Sequence, residues 1–165
     1  MPTDPRLASA VPPATLTKDL LDAYAEIVTN FAEGRWEPSQ LNGGKLCEAV
    51  YTIVDGYMSG TYQTRAHKPQ NMPAACQKLE TTYPKADNSP RIQIPRMIVA
   101  LYEIGNNRGV GHAGGDVDPN QMDATAVLYM SKWLMAELVR ILHGLTTDEA
   151  TDIVEALVER EIALV

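Results

Sequence analysis

The spacing of apolar residues is helical along most of the chain. From Thr17 onward they recur at the i, i+3, i+4, i+7 spacing of one helix face, and Gly34 follows the last of them. This first apolar face consists of Leu20, Leu21, Tyr24, Ile27, Val28 and Phe31. A similar stripe predicts a second helix over residues 44–58, closed by Gly60. Its buried side is predicted to hold Leu46, Val50, Ile53, Val54 and Tyr57.

The middle of the chain alternates between loop and helix signals. Residues 60–72 are polar and predict a loop, and residues 73–81 predict a short helix. Ser89-Pro90 has the form of a helix start, although Pro95 favours a delay of regular helix until that point. The apolar face that follows is Met97, Ile98, Leu101 and Ile104. We expect the sequence Gly105-Asn106-Asn107 to break this helix.

Two capping signals predict the last two helices. Asp118, Pro119 and Gln121 form a capping-box pattern that predicts a helix to about His143, ended by Gly144. Apolar residues available for burial in this helix are Met122, Ala126, Met130, Trp133, Leu134, Ala136 and Ile141. Thr146 and Glu149 predict a second capping box before a final helix. Its apolar residues are Ile153, Val154, Leu157, Val158 and Ile162.

These elements predict an all-α protein, a bundle of five to six helices. Residues 1–14 contain four prolines and predict a flexible arm, so the expected single helical domain covers residues 15–165. The sequence ends on the apolar stretch 162–165. Either this stretch packs into the bundle, or the chain is the N-terminal part of a longer protein.

Composition narrows the class of protein. The 165 residues include 14 basic and 21 acidic side chains, a net charge of −7, and 45% hydrophobic residues, which is ordinary for a globular protein. No segment is apolar for the roughly 20 residues that a membrane span needs, and no secretion signal is recognisable. We therefore expect a cytoplasmic protein, with Cys47 and Cys76 as reduced core thiols rather than a disulfide.

The charge is distributed unevenly along the chain. Residues 1–112 are neutral overall, whereas residues 113–165 carry the entire excess of acidic side chains. Within the neutral part, residues 63–112 hold seven basic against three acidic residues. Such a stretch is either an ordinary solvated surface or a basic face for nucleic acid, and the sequence leaves both open.

The residues with most chemical potential lie between the fourth and fifth predicted helices. The run from Gly109 to Gly114 matches G-x-G-x-x-G, but it lacks the preceding strand that a dinucleotide site requires. A metal site at His112, Asp116 and Asp118 has too few ligands of one type for either calcium or zinc. The sequence also contains no nucleophile elbow and no phosphate-binding loop. Because neither these motifs nor a sufficient set of metal ligands is present, we expect neither metal nor cofactor.

Acid–base chemistry on a phosphodiester is the remaining interpretation of this segment. His112 can transfer a proton near neutral pH, and Arg108 can stabilise negative charge on a phosphate. Asn106 and Asn107 can orient the phosphate or a base, and the glycines permit a close approach of an RNA backbone. The alternative is that the asparagines only end a helix and His112 is an exposed loop residue.

The arrangement helix–Asn-Asn-Arg-Gly-Val-Gly-His–helix resembles the HEPN superfamily, in particular its branch of abortive-infection and other bacterial defence proteins. That motif has an Arg, commonly followed by Asn, and a His four to six residues further on. Residues 44–50, with Leu46, Glu48 and Ala49, resemble a Leu-x-Glu-Ala helix of the same branch. The similarity covers roughly residues 17–145.

The resemblance implies a homodimer whose paired motifs line one cleft, and metal-independent endoribonuclease activity in an antiviral or toxin-type system. It assigns the histidine role to His112 and the polar role to Asn106, with RNA and an antitoxin or defence-system protein as partners. The family arginine falls at Gly105, and Arg108 is its nearest substitute. Gly105 therefore indicates a degenerate binding or dimerisation module, a site in which Arg108 has taken over, or an inactivating replacement. An unrelated helical adaptor remains the third class.

Overall fold

The computed structural model describes residues 11–107 and 117–163, with the backbone alone at 38–41, 105–107 and 161–163. These ranges contain six α-helices and one short π-helical turn, and no strand. The helices are α1 (Ala14–Ala32), α2 (Trp36–Ser59), α3 (Met72–Thr82), α4 (Ile94–Asn107), α5 (Gln121–His143) and α6 (Thr147–Ala163). The π turn (Ser89–Gln93) runs directly into α4. The predicted all-α class is confirmed.

Helix α2 is the centre of the bundle, because it packs against α1, α4 and α5. Helix α6 lies on α5 and α1, and α3 covers α4. The interior is formed by side chains that are completely or almost completely buried: Leu16, Ile27, Leu46, Ile53, Ile98, Leu101, Leu134 and Leu138. Burial of one such side chain stabilises the fold by about 1.5–3 kcal/mol, so this shared core holds the six helices together.

Several predicted helix ends are confirmed in detail. Gly60 and Gly144 end α2 and α5 with φ angles of 83° and 62°. Glycine adopts this left-handed conformation readily because it has no Cβ atom, whereas other residues do so at a cost in energy. The capping box before α6 is present. The Glu149 N–H donates to Thr146 Oγ1 at 3.2 Å, and Glu149 Oε1 accepts from the Thr146 hydroxyl at 3.0 Å.

The start of α2 differs from the sequence prediction. It begins at Trp36 rather than at Gly44, so Gly43 and Gly44 lie inside the helix. A Cβ atom at Gly43 would lie 3.2 Å from Cγ1 of Val127 and 3.5 Å from Cδ1 of Leu101. Gly43 therefore lets α2 approach α5 and α4 closely, and the packing offsets the cost of glycine in a helix, about 1 kcal/mol.

The expected helix break at Gly105 is wrong. Helix α4 continues through Asn107, the last residue described before the gap. Its first turns are anchored by the buried side chains of Ile94, Ile98 and Leu101. A single glycine costs about 1 kcal/mol in a helix, which packing of this extent outweighs.

The start of α5 also differs from the prediction. The N-cap is Asn120 and not Asp118, because the helix begins at Gln121 and Asn120 Oδ1 accepts from the Asp123 N–H at 3.0 Å. The same asparagine donates from Nδ2 to Asp123 Oδ2 at 2.9 Å. Asn and Asp are equivalent N-caps in energy, so sequence alone does not choose between these two positions.

The predicted start at Ser89-Pro90 is confirmed, with an unexpected geometry. The chain forms a π turn in which the Ile94 N–H donates to the Ser89 carbonyl, and regular α-helix begins at Ile94. Pro95 follows at once. Proline has no N–H, so Pro95 cannot donate the usual helical hydrogen bond to the carbonyl four residues earlier. The wider π turn lies directly before this missing hydrogen bond.

Other expectations have mixed outcomes. Cys47 and Cys76 are free and buried, as predicted. Met122, expected to be available for burial, is 68% exposed, and Leu21 and Ile153 are 39% and 43% exposed.

Most of the predicted arm, residues 1–10, lies outside the described residues. In the described ranges, no helix has both the length and the apolar character of a membrane span.

Candidate functional site

The ends of α4 and α5 that flank the candidate motif lie at the same end of the bundle. Leu101 of α4 and Val127 of α5 both approach Gly43 of α2. Beyond Leu101, α4 continues for six residues to Asn107. Helix α5 begins at Gln121, six residues before Val127. The described end of α4 and the start of α5 therefore lie at the same end of the bundle.

The structure describes only part of the predicted site. Gly105, Asn106 and Asn107 belong to the last turn of α4, where the backbone alone is described. Arg108 and His112 lie outside the described residues, as does Asp116 of the rejected metal site. The arrangement of the candidate catalytic side chains therefore stays a prediction.

Two buried polar residues near this end were missed by sequence reasoning. Asp123 in the first turn of α5 is only 4% exposed, and Asn42 of α2, next to Gly43, is buried as well. Buried polar groups require hydrogen-bond partners, and Asn120 supplies one for the Asp123 carboxylate. Nothing in the sequence indicated that Asn42 is buried, because it precedes residue 44, where the second helix was predicted to start.

An exposed apolar face runs along α5 from the motif end. Met122 and Tyr129, two helical turns apart, are 68% and 62% exposed. The Lys132 ammonium lies 5.2 Å from the centre of the Tyr129 ring and 3.2 Å from Glu155 Oε1 of α6. Because Lys132 already pairs with Glu155, its charge adds little to the potential at this face.

The basic stretch 63–112 is partly neutralised. Asp19 of α1 accepts from Arg65 Nε at 2.9 Å, Arg65 Nη2 at 3.0 Å and the Ala66 N–H at 2.9 Å. These bonds, first of all those from Arg65, lower the pKa of Asp19. Arg96 pairs with Glu80 at 2.6 Å. These carboxylates weaken the positive field of the stretch, which favours the solvated-surface interpretation for this part of it.

A second polar cluster lies at the opposite end of α5. Ser89 donates to Glu137 Oε2 at 2.5 Å, and Arg140 Nη2 donates to the same oxygen at 2.6 Å. Burial alone raises the pKa of Glu137, but the bonds from Arg140 and Ser89 outweigh it and hold the pKa below its ordinary value. The cluster fastens the π turn to α5, and this structural role accounts for all three residues.

The described thiols and carboxylates provide no evident nucleophile or metal site. Burial raises the pKa of Cys76 to about 12 and that of Cys47 well above its ordinary value, so both thiols stay protonated. Among residues 11–107 and 117–163, no cluster of three or more histidine, cysteine or acidic residues has a metal-binding arrangement.

The chain matches no protein-family model, no curated protein and no solved structure.

Proposed function

We propose that the chain is a HEPN-like, RNA-directed domain of a prokaryotic defence or toxin-type system. It acts as a metal-independent endoribonuclease or is a degenerate relative of one. The observation that supports this proposal is an all-helical bundle in which the described residues on either side of the motif belong to packed helices. Asn106 and Asn107 are the last described residues of one packed helix, and the next described helix begins at Gln121 at the same end of the bundle.

In the active form of this proposal, His112 transfers a proton during cleavage of the phosphodiester, and Arg108 with Asn106 holds the scissile phosphate. Asn107 and Gly105 contact the RNA. A guanidinium stabilises the charge that develops on the phosphate, which removes the need for a metal ion. The RNA is cleaved at a cleft between two copies of the chain, and an antitoxin or another defence protein is the regulatory partner.

Gly105 gives this proposal a sharp test, because it occupies the position of the family arginine. Gly105 has a helical backbone, so Gly105→Arg fits the local conformation and removes a glycine that costs about 1 kcal/mol in a helix. We expect the substitution to create or strongly increase RNA cleavage in the presence of EDTA. His112→Ala in the same background abolishes the gain, because an arginine alone does not transfer the proton.

Arg108 is the working substitute if the unaltered chain already cleaves RNA, and Arg108→Ala then stops cleavage. His67→Ala, which changes an exposed histidine on the loop before α3, is the matched control and leaves activity unchanged. The enzymatic proposal fails if neither the unaltered chain nor Gly105→Arg cleaves any RNA while both remain folded.

A non-catalytic dimerisation or interaction module is the second candidate function. The exposed Met122 and Tyr129 on α5 favour it, because large apolar side chains grouped on one helix face mark interaction surfaces. Such a module binds RNA or a protein partner without cleavage. Binding without cleavage by both the unaltered chain and Gly105→Arg distinguishes it from the enzyme.

A further inference from the structure

A stripe of uncharged side chains follows the open face of α5. Its members recur at alternating intervals of four and three residues: Met122, Ala126, Tyr129, Trp133 and Ala136. Alternation of four and three residues is the spacing by which one helix packs along another. Met122 and Tyr129 are 68% and 62% exposed, and the other members are partly buried. This α5 stripe extends over about four helical turns, or about 21 Å.

A row of acidic side chains on α6 lies beside the α5 stripe. Its members are exposed, and their spacing of four, three and four residues places them on one helix face: Asp148, Asp152, Glu155 and Glu159. Lys132 joins the two features, because its Nζ lies 3.2 Å from Glu155 Oε1 and 5.2 Å from the centre of the Tyr129 ring. Lys132 neutralises one of the four charges. The other three form no ion pair within the described residues, so this side of the surface is negative.

These two features together define the chemistry of a partner. The spacing of the α5 stripe complements an amphipathic helix, whose apolar residues pack on Met122 and Tyr129. The acidic row complements lysine or arginine on the flank of that helix, since charges beside a helix-pairing stripe select the partner. Nucleic acids and anionic membranes are negative, so the same row repels them.

A second copy of the chain fits this face less well than a basic helix does. Two copies that pair through α5 bring two acidic rows to one interface, and like charges across an interface cost free energy. Self-association through this face is therefore weak, and it becomes tighter when salt screens the repulsion. A basic helix gains from the same charges that oppose the second copy.

We propose that the face formed by the α5 stripe and the acidic row of α6 docks a basic amphipathic helix of another protein. Docking of this helix displaces a second copy of the chain from the face, which separates a homodimer that uses it. The surface consists of described residues of α5 and α6. Its test uses no RNA, so its outcome is independent of the proposed cleavage activity.

Fluorescence anisotropy with the full-length chain tests the proposal. The probe is a labelled amphipathic helical peptide of leucine and lysine, about 18 residues long, which spans about 27 Å and so covers the α5 stripe. We expect this lysine peptide to bind one to one. The charge-reversed peptide, with glutamate in place of every lysine, binds at least about tenfold more weakly.

Two pairs of variants locate the binding on this face, and the first pair changes apolar residues. Met122→Asp places a charge in the α5 stripe and weakens binding of the lysine peptide by at least about tenfold. Leu21→Asp, the same change at an exposed apolar residue of α1, leaves binding unchanged. All of these side chains are exposed enough that the substitutions do not disturb the core.

The second pair of variants removes charges. The double variant Asp152→Asn and Glu159→Gln neutralises two members of the acidic row and weakens binding of the lysine peptide several-fold. The double variant Glu26→Gln and Glu37→Gln changes the net charge equally, at exposed positions of α1 and α2, and leaves binding within about twofold. Equal losses in the two double variants mean attraction by net charge alone and overturn the proposal.

Salt distinguishes a basic helix from a second copy. Raising the salt concentration from about 0.05 M to about 0.5 M weakens binding of the lysine peptide, whereas it strengthens self-association of the free chain in light scattering. Equal affinity for the two peptides, or no binding of either, overturns the proposal. If the lysine peptide fails to bind while the chain remains a dimer, a second copy occupies the face and the proposal is also wrong.

Discussion

At the scale of the residue, the glycines inside α2 have different roles that only their surroundings reveal. A Cβ atom at Gly56 would lie 2.7 Å from Cε1 and 2.9 Å from Cγ of Tyr62, closer than atoms in proteins approach. A Cβ at Gly44, in the same helix, would meet no atom within 4 Å. Gly56 therefore makes room for an aromatic ring of the following loop, whereas Gly44 has no such function.

We expect Gly56→Ala to destabilise the protein by about 1–3 kcal/mol, because the Tyr62 ring must move away from the added methyl group. Gly44→Ala is the matched control. It stabilises the protein by up to about 1 kcal/mol, since alanine is the better helix former. Urea unfolding followed by circular dichroism measures both changes, and equal stability of the two variants contradicts the assigned roles.

At the scale of the element, the loop between α2 and α3 is held on α1 by one carboxylate. Asp19 accepts two hydrogen bonds from Arg65 and one from the Ala66 N–H. Thr15 of the same helix donates to the Thr64 carbonyl at 2.5 Å. A segment without helical hydrogen bonds of its own thus obtains them from its neighbour, as buried or half-buried backbone requires.

Asp19→Ala is expected to lower the free energy of unfolding by about 1 kcal/mol at pH 7, a value reduced by the solvent exposure of Arg65. The pKa of Asp19 is lower in the folded protein than its ordinary value of 3.8. Its contribution is therefore complete above that ordinary value and disappears as the pH falls through the lower, folded pKa.

Unfolding curves of the unaltered chain and Asp19→Ala between pH 7 and strongly acidic pH test this expectation. The two curves approach each other only in acid. Asp22→Ala is the control, because within the described residues Asp22 pairs with the exposed Lys18 on the same helix, and its effect stays within about 0.5 kcal/mol. A difference for Asp19→Ala that does not depend on pH contradicts the role of its charge.

At the scale of the whole molecule, α6 is part of the bundle rather than a linker. Ala150, Val154 and Val158 are buried against the other helices, whereas Ile153 is 43% exposed. Helix α6 also joins α5 through the pair of Lys132 and Glu155. The last helix therefore completes the core that α1 and α5 share.

Deletion of residues 147–165 is expected to lower stability by several kcal/mol, because it exposes the apolar surface of α1 and α5. Val154→Ala costs about 1–3 kcal/mol, and the neighbouring Ile153→Ala costs less than about 1 kcal/mol because its side chain is already partly in water. Thermal unfolding measures these changes. An unchanged melting temperature after the deletion means that α6 does not contribute to the core.

The exposed apolar face of α5 predicts self-association. We expect light scattering at about 100 µM to give the mass of a homodimer, a concentration at which even a weak, micromolar dimer is populated. Met122→Asp shifts the mass toward the monomer, since it places a charge in the apolar contact, and Ile153→Asp on α6 does not. A monomer mass for the unaltered chain counts against both the dimer and the paired-motif cleft.

The sequence by itself determined the helical class, most helix ends and much of the buried faces of α1, α2 and α4. On α5 it selected Leu134 correctly but not the buried Val127, Met135 and Leu138. The apolar period of 3.6 residues and the glycines at 60 and 144 are local signals. They specify a helix or its end whatever surface that helix later packs against. The two buried thiols and the capping box of Thr146 and Glu149 were predictable for the same reason. The sequence also singled out Gly105, Asn106, Asn107, Arg108 and His112, and their chemistry remains a prediction.

Only the tertiary structure decided the features in which packing outweighs local preference. Helix α2 extends back to Trp36 because Gly43 allows close contact with α4 and α5, and α4 continues past Gly105 because its buried face holds it. The choice of Asn120 over Asp118 as N-cap, the burial of Asp123 and the exposure of Met122 depend likewise on where neighbouring helices lie. Such contacts join residues that are distant in the chain, so no local pattern of residues encodes them.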